Sequence, residues 1–260
     1  MLYDPKVSPQ FPEYYKPPYF FPINVMTHTD PKTGKIDTNF ADFDDPARFA
    51  RSLASQPSDW HYRNKKINYK MNSSGYRCPE WKDIDWKEAV VLFGCSNVMG
   101  IGLAEDETID YHVSQMLSRP VINLGAPGSG IDFSFYNSLI LAENYPTPWS
   151  VVQIWTGVDR CTYFNEGFLS RCGIWDAKHH FFKEFAKDEY HSIVQAKLLS
   201  VASKQIWTER TRYFSTSFFD MTAYFTGCKD IDIDNQARDL LHPGRNSARQ
   251  MAEHIVSNIS

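Results

Sequence analysis

The chain has 260 residues, 42% hydrophobic and 22% charged. That is an ordinary globular composition, and the length suits one large α/β domain or two small ones. A formal net charge of −4, with no long run of either sign, gives no footprint for nucleic acid or for an anionic membrane. No apolar run of 18 residues offers a membrane span, and Met1 to Lys6 show no basic region leading into an apolar core. The expected location is cytoplasmic, with incorporation into a particle as the other placement. Cys78, Cys95, Cys161, Cys172 and Cys228 form no CxxC pair, so free thiols are expected.

Residues 1–40 carry Pro5, Pro9, Pro12, Pro17, Pro18 and Pro22 and neither a helical nor a strand period. They read as an extended arm, a contact for a second copy or a larger assembly. Asp44-Asp45-Pro46 opens a short helix over 44–55. Trp60 to Tyr69 alternates loosely and is expected as a strand, making a small hairpin with the turn cluster Asn72-Ser73-Ser74-Gly75.

Val90-Val91-Leu92-Phe93-Gly94 is a continuous apolar run, the pattern of a strand buried on both faces. Gly94 permits a sharp turn at its end. Ser96 then stands at the carboxyl end of a central strand, where open α/β sheets place their ligands. A serine there serves as a nucleophile or as a helix cap.

Helices are predicted over 106–118 and 131–144, and strands over 120–124 and 149–155. Each of the first three strands runs into a glycine-containing loop, including Gly125-Ala126-Pro127-Gly128 and Thr156-Gly157-Val158-Asp159. Residues 160–186 look like an aromatic insertion or lid. A helix follows over 187–203, then strand-like runs near 204–207 and 213–219, then a final helix over 244–258. Alternation of this kind predicts an α/β fold, a three-layer flavodoxin-like parallel sheet with helices on both faces. Residues 1–85 form the arm, short helix and hairpin packed on the body, and 86–260 the α/β domain. The three glycine loops meet at one sheet edge.

The glycines around Ser96 do not make a nucleotide loop, because Gly-Lys-Ser/Thr is absent and the dinucleotide fingerprint lacks its third glycine. Acyl transfer needs a nucleophile, a base oriented by a carboxylate, and donors for an oxyanion. Ser96 is the candidate nucleophile. Asp239-Leu240-Leu241-His242 places a carboxylate and a histidine three apart. Asp176/His179 and Asp188/His191 share that spacing, but His242 follows the last strand-like region and precedes Pro243-Gly244, on a loop able to reach the sheet edge. The backbone N–H groups of Ser96 and Gly128 are the expected oxyanion donors. This chemistry calls for no metal and no cofactor. Trp155, Tyr163, Phe164 and Trp175 suit a sugar-stacking surface near such a site, or equally a core or lid.

Taken together, these blocks resemble the SGNH (GDSL-type) hydrolases. Gly94-Cys95-Ser96 stands for the Gly-Asp-Ser block, Asn123 to Gly128 for the second block, Gly157-Val158-Asp159 for Gly-x-Asn, and Asp239-Leu240-Leu241-His242 for the final block. Asn72-Ser73-Ser74-Gly75-Tyr76-Arg77 resembles a segment that precedes the nucleophile block in some polysaccharide-modifying relatives. The resemblance spans 70–245. It implies a serine esterase or deacetylase acting on O-acetyl esters of carbohydrate, with Ser96, His242 and Asp239 catalytic and Ser96 and Gly128 at the oxyanion.

Two positions depart from the family. Cys95 replaces the block's Asp, which is not the nucleophile. Asp159 replaces the oxyanion Asn, and an ionised carboxylate accepts but cannot donate. Pairing with Arg160, protonation of Asp159, or substitution by Asn97 would each answer that loss. A catalytically degenerate scaffold with a binding or assembly role, phage-related among others, is the alternative, and O-acyl transfer to a sugar a third.

Overall fold

A computed structural model describes residues 20–21, 23, 25–165, 168–173, 175, 182–183, 189–218 and 236–260. Its centre is a parallel sheet of β3 (Val90–Gly94), β4 (Val121–Gly125), β5 (Ser150–Trp155) and β8 (Arg212–Ser217), in the order β4-β3-β5-β8. Val90 pairs with Val121 on one side and with Ser150 on the other, and Ser150 pairs in turn with Arg212. The first core strand therefore lies inside the sheet, with the second and third strands flanking it. This is a flavodoxin-like arrangement, and open sheets of this kind bind their ligands at the carboxyl ends of the strands, which is where β3 ends at Gly94.

Why the β3 run reads as unbroken hydrophobic follows from its two faces. All five of its residues are buried. Val90 and Leu92 join Val152 and Ile154 beneath α3 (Ile109–Leu117) and α6 (Arg245–Ile259), against Val113, Met251 and Ile255. Val91 and Phe93 point the other way, joining Leu124, Phe133, Leu141 and Trp207 beneath α4 (Ile131–Asn144) and α5 (Glu189–Thr208). Period-two alternation thus feeds two cores at once.

The N-terminal region differs from the sequence reading. Within the expected arm, β1 (Thr27–Thr29) and β2 (Ile36–Ala41) form an antiparallel hairpin. Its turn is built by Asp30, whose carboxylate accepts from Lys32 N and Thr33 Oγ1 while its carbonyl accepts from Gly34 N. Phe20, ahead of it, stacks on Tyr145 at 4.9 Å in the core. Residues 1–19, 22 and 24 of the arm lie outside the described residues.

The strand expected over 60–69 is absent: His61–Arg63 is a 3₁₀ turn and the rest follows an irregular path. Its alternation is real but records burial. Ile67 and Tyr69 turn inward and Lys66, Asn68 and Lys70 outward, while only Ile67 N and Tyr69 N bond to β2, at Asn39 Oδ1 and Thr38 O. α1 (Pro46–Ser55) begins as expected, with Pro46 in its first turn and Asp45 Oδ1 accepting from Arg48 N at 2.7 Å.

Two further expectations change. Lys204 to Trp207 continue α5 instead of forming a strand, since Trp207 falls on the same helical face as Ala196 and Ser203. The supposedly irregular insertion contains the hairpin of β6 (Cys161–Asn165) and β7 (Phe168–Cys172). Asp176, His179 and Asp188 lie outside the described residues. No described helix is long and apolar enough to cross a membrane.

Candidate active site

Ser96 opens α2 (Ser96–Met99), a single turn directly after β3. Helical termini leave their first N–H groups without intrahelical partners. Among the described residues the N–H of Ser96 and that of Gly128 donate to no acceptor. Gly128 sits in the left-handed region at φ 67° in the β4–α4 loop. That loop folds over the end of β3: Ala126 N donates to Gly94 O at 2.9 Å and Ser129 Oγ to the same oxygen at 3.2 Å. Both expected oxyanion donors therefore stand at the carboxyl edge of adjacent strands.

Asp239 and His242 meet. His242 Nδ1 lies 2.5 Å from Asp239 Oδ2, while Asp239 Oδ1 accepts from Leu241 N and His242 N, each at 3.2 Å. Ala237 N donating to His242 O, with a bridge between Gln236 and Pro243, closes the loop. Leu240 completes it at φ 58°, a region costly to a residue with a Cβ. Burial works against a charged Asp239, but its bonds from His242 and the backbone outweigh that and hold its carboxyl below the usual range. Among the described residues neither Ser96 Oγ nor His242 Nε2 makes a hydrogen bond, to each other or to any third group.

The two loops are nonetheless built onto one another. Ser96 O accepts from Gly100 N and Ile101 N, and Gly102 O accepts from Arg238 N at 3.0 Å. A methyl group on Gly102 would come within 3.1 Å of Asp239 Oδ1 and 2.7 Å of the Ala237 Cβ. Gly102 N donates to the Tyr69 hydroxyl at 2.7 Å, and that hydroxyl donates to Asp44 Oδ2 at 2.6 Å. Asp44 in turn takes a two-point ion pair from Arg238, Nε at 3.0 Å and Nη2 at 2.7 Å. Arg238 also reaches Asn39 Oδ1 and lies over the Phe40 and Phe49 rings. One buried network thus links the loop after Ser96 to the loop that carries Asp239 and His242.

Arg77, last of the Asn72–Arg77 segment, acts on the first of those loops. Its guanidinium donates to Gly100 O at 2.9 Å, at the cap of the single helical turn, and to Leu103 O at 3.1 Å in the loop that follows. Asn72 shapes the segment itself, accepting from Ser74 N and Tyr76 N. Asn123 of β4 donates to Val98 O and Asp110 Oδ1, each at 2.7 Å, and fixes the same turn from below.

Asp159 makes no hydrogen bond or ion pair among the described residues. Its carboxylate folds back into the space a Cβ on Gly157 would take. Of the three alternatives, the pairing with Arg160 is not made: that guanidinium lies 5.4 Å from the Trp175 ring. Trp175 is 48% exposed and packs on Gly128, while Trp155 is core. Tyr163 packs partly buried against Cys161, Cys172 and Phe182, and the Phe164 side chain lies outside the described residues. Asn97 is half-buried within α2 and its side chain makes no hydrogen bond among the described residues.

Three charged residues escaped the sequence reading. Arg238 is adjacent to Asp239, yet only the fold reveals that it reaches Asp44. Arg171 of β7 donates to Pro127 O, next to Gly128. Asp42, at φ 54°, is held above the usual carboxylate range by burial, against the nearby charges of His242, Arg171 and His28. Among the described residues no group of His, Cys, Asp and Glu is arranged to hold a metal ion.

The sheet defines an α/β protein with a serine at the carboxyl edge of its central strand, and an Asp239–His242 pair, buried at the aspartate and partly exposed at the histidine, whose loop packs on the loop that follows that serine. No protein-family model matches the chain, and no curated relative does. Among solved structures the chain is similar to a member of the lipolytic protein G-D-S-L family from Veillonella parvula, at 13% identity and a TM-score of 0.40, covering 65% of this chain and 96% of that one. It is also similar to a G-D-S-L family lipolytic protein from Desulfitobacterium hafniense, at 11% identity and a TM-score of 0.42, covering 66% and 99%. Likeness of this degree carries no weight for the chemistry, which has to stand on the chain's own residues.

Proposed function

We propose that the chain is a serine hydrolase of carboxylic esters. The supporting observation is the Asp239–His242 pair at 2.5 Å, tied through Gly102 to the loop after Ser96, with two uncommitted N–H groups on the adjoining turns. In this reading Ser96 Oγ attacks the ester carbonyl carbon and its proton passes to His242 Nε2. Asp239 steadies the imidazolium that forms. The N–H groups of Ser96 and Gly128 hold the oxyanion. His242 then protonates the departing alcohol, and a water molecule activated by the same nitrogen releases the acid from Ser96.

Asp159 supplies no donor, so the remaining stabilisation falls to the backbone and to Arg171, the cation bonded to the loop at Pro127. The half-exposed Trp175 beside Gly128, with Arg160 against its ring, suits an ester with a flat apolar face such as an O-acetylated sugar. Transfer of the acyl group to a sugar hydroxyl in place of water uses the same groups.

The test is hydrolysis of an aryl acetate with fluorophosphonate labelling, in the wild type and in Ser96→Ala. Hydrolysis and labelling lost in the variant support the reading. Activity unchanged by the substitution overturns it. The carboxylate at Asp159 favours a second reading, a scaffold that binds without turnover, and a wild type that neither hydrolyses nor labels supports that one. The assembly role of residues 1–40 is tested by their deletion, with mass in solution measured before and after.

A further inference from the structure

Cys161 and Cys172 occupy directly opposed positions of the β6–β7 hairpin. Directly opposed residues of an antiparallel pair have Cα atoms about 4.5–5.5 Å apart, within the span a disulfide bridges. Their sulfurs are 3.1 Å apart, and the two residues are only 4% and 2% exposed. Both are in the thiol form, packed against Phe182 and the partly buried Tyr163. Neither sulfur belongs to the hydrolytic chemistry proposed above.

The hairpin they close is attached to the candidate site at three points. Thr162, next to Cys161, donates from its N and Oγ1 to Asp132 at the start of α4, at 2.6 and 2.9 Å. Arg171, next to Cys172, donates to Pro127 O. Gly173 and Gly128 both lie against the Trp175 ring. The other described cysteines lack such an arrangement. Cys95 is buried at the end of β3, and burial pushes the Cys78 thiol up, which leaves little reactive thiolate there.

We propose that Cys161 and Cys172 are a redox-active dithiol that closes to a disulfide and staples β6 to β7, the hairpin whose Arg171 holds the Gly128 loop at Pro127 O. The oxidant is a small-molecule disulfide of the glutathione class. One protein thiolate attacks a sulfur of that disulfide, forming a mixed disulfide and releasing one small thiol. The second protein thiolate attacks the protein sulfur of the mixed disulfide and releases the other. The protein loses two S–H bonds and gains one S–S bond, the small molecule is reduced to two thiols, and the two protons leave on them. Burial of both sulfurs makes entry of the first oxidant, through transient opening of the hairpin, the slow step.

The full chain is incubated in buffers of increasing oxidised-to-reduced glutathione ratio, with and without urea below the unfolding transition. It is then quenched in acid, unfolded in denaturant, alkylated and mapped by mass spectrometry. The expected product is a peptide pair joined through Cys161 and Cys172, lighter by two hydrogens, forming faster in urea, with Cys78 and Cys95 alkylated throughout. Cys172→Ser, checked for native circular dichroism, is expected to stop at a glutathione adduct on Cys161. The proposal is overturned if both thiols remain alkylatable at the most oxidising ratio in either buffer. Glutathione adducts on either residue of the wild type, without the cross-link, overturn it equally. These readouts need no substrate, so they stand apart from the esterase test.

Discussion

Arg238 and Asp44, 194 residues apart in the chain, form a two-point ion pair with no solvent exposure on the arginine and 1% on the aspartate. Through it the loop of Asp239 and His242 is anchored to the N-terminal region. Removing one member of a buried pair leaves an uncompensated charge and costs about 3–5 kcal/mol. Arg238→Met is therefore expected to lower stability to urea by about that amount, and Asp44→Ala similarly. The double variant should lose less than the sum, because the orphaned charge is gone in it.

Gly102 is where the nucleophile loop and the acid–base loop touch. At φ 77°, with Asp239 Oδ1 3.1 Å from where a methyl group would sit, Gly102→Ala strains its own backbone and pushes the Asp239 loop away. The backbone strain alone is worth about 1–2 kcal/mol. The variant should unfold at lower urea and lose more in kcat than in KM. A variant with normal stability and normal kcat would show that the contact is slack.

Asp239→Asn keeps the shape of the loop and removes the charge that would steady the His242 imidazolium. In serine hydrolases of this logic the equivalent change costs about 10⁴ in kcat. Steady-state hydrolysis of an aryl ester measures it. A loss of only a few fold would mean that His242 is not the base.

The acid limb of the stability curve carries a separate signature of the same pair. Asp239's carboxyl is held below its usual range in the folded chain. Its stabilising contribution is full above the unfolded value of about 3.9 and is lost as pH falls through the lower folded value. Stability measured below about pH 4 should therefore fall less steeply in Asp239→Asn than in the wild type. Asp42 has the opposite sign, since burial raises its carboxyl in the folded state. Its ionisation opposes folding at neutral pH, so Asp42→Asn is expected to raise the urea midpoint at pH 7 and to matter less as the medium becomes acidic.

Asp159 accepts and never donates when ionised. Asp159→Asn returns an amide to that position and takes away a negative charge, and is expected to raise kcat. The ceiling is the worth of one oxyanion donor, about 10²–10³-fold. An unchanged rate would place the side chain, which now lies against Gly157, outside the reacting volume.

Much of this molecule was written locally. The Val90–Phe93 run is buried on both faces, so its position inside a parallel sheet was legible from hydrophobicity alone. The helix Ile131–Asn144 was legible in outline from the glycine-rich loop before it and the proline-containing segment after it. The Asp239–His242 contact was legible too, because a turn closed by Leu240 at positive φ involves only near neighbours. Where local signals erred, burial had imitated a ladder, as at Ile67 and Tyr69, or a pair of β-formers had ended a helix, as at Ile206-Trp207. Tertiary structure alone decided that Arg238 reaches back to Asp44, that Tyr69 bridges Asp44 to Gly102, and that Cys161 faces Cys172. The physical reason is that a buried charge or sulfur is recognised by its partner. Those partners lie up to 194 residues away, at separations no sequence period encodes.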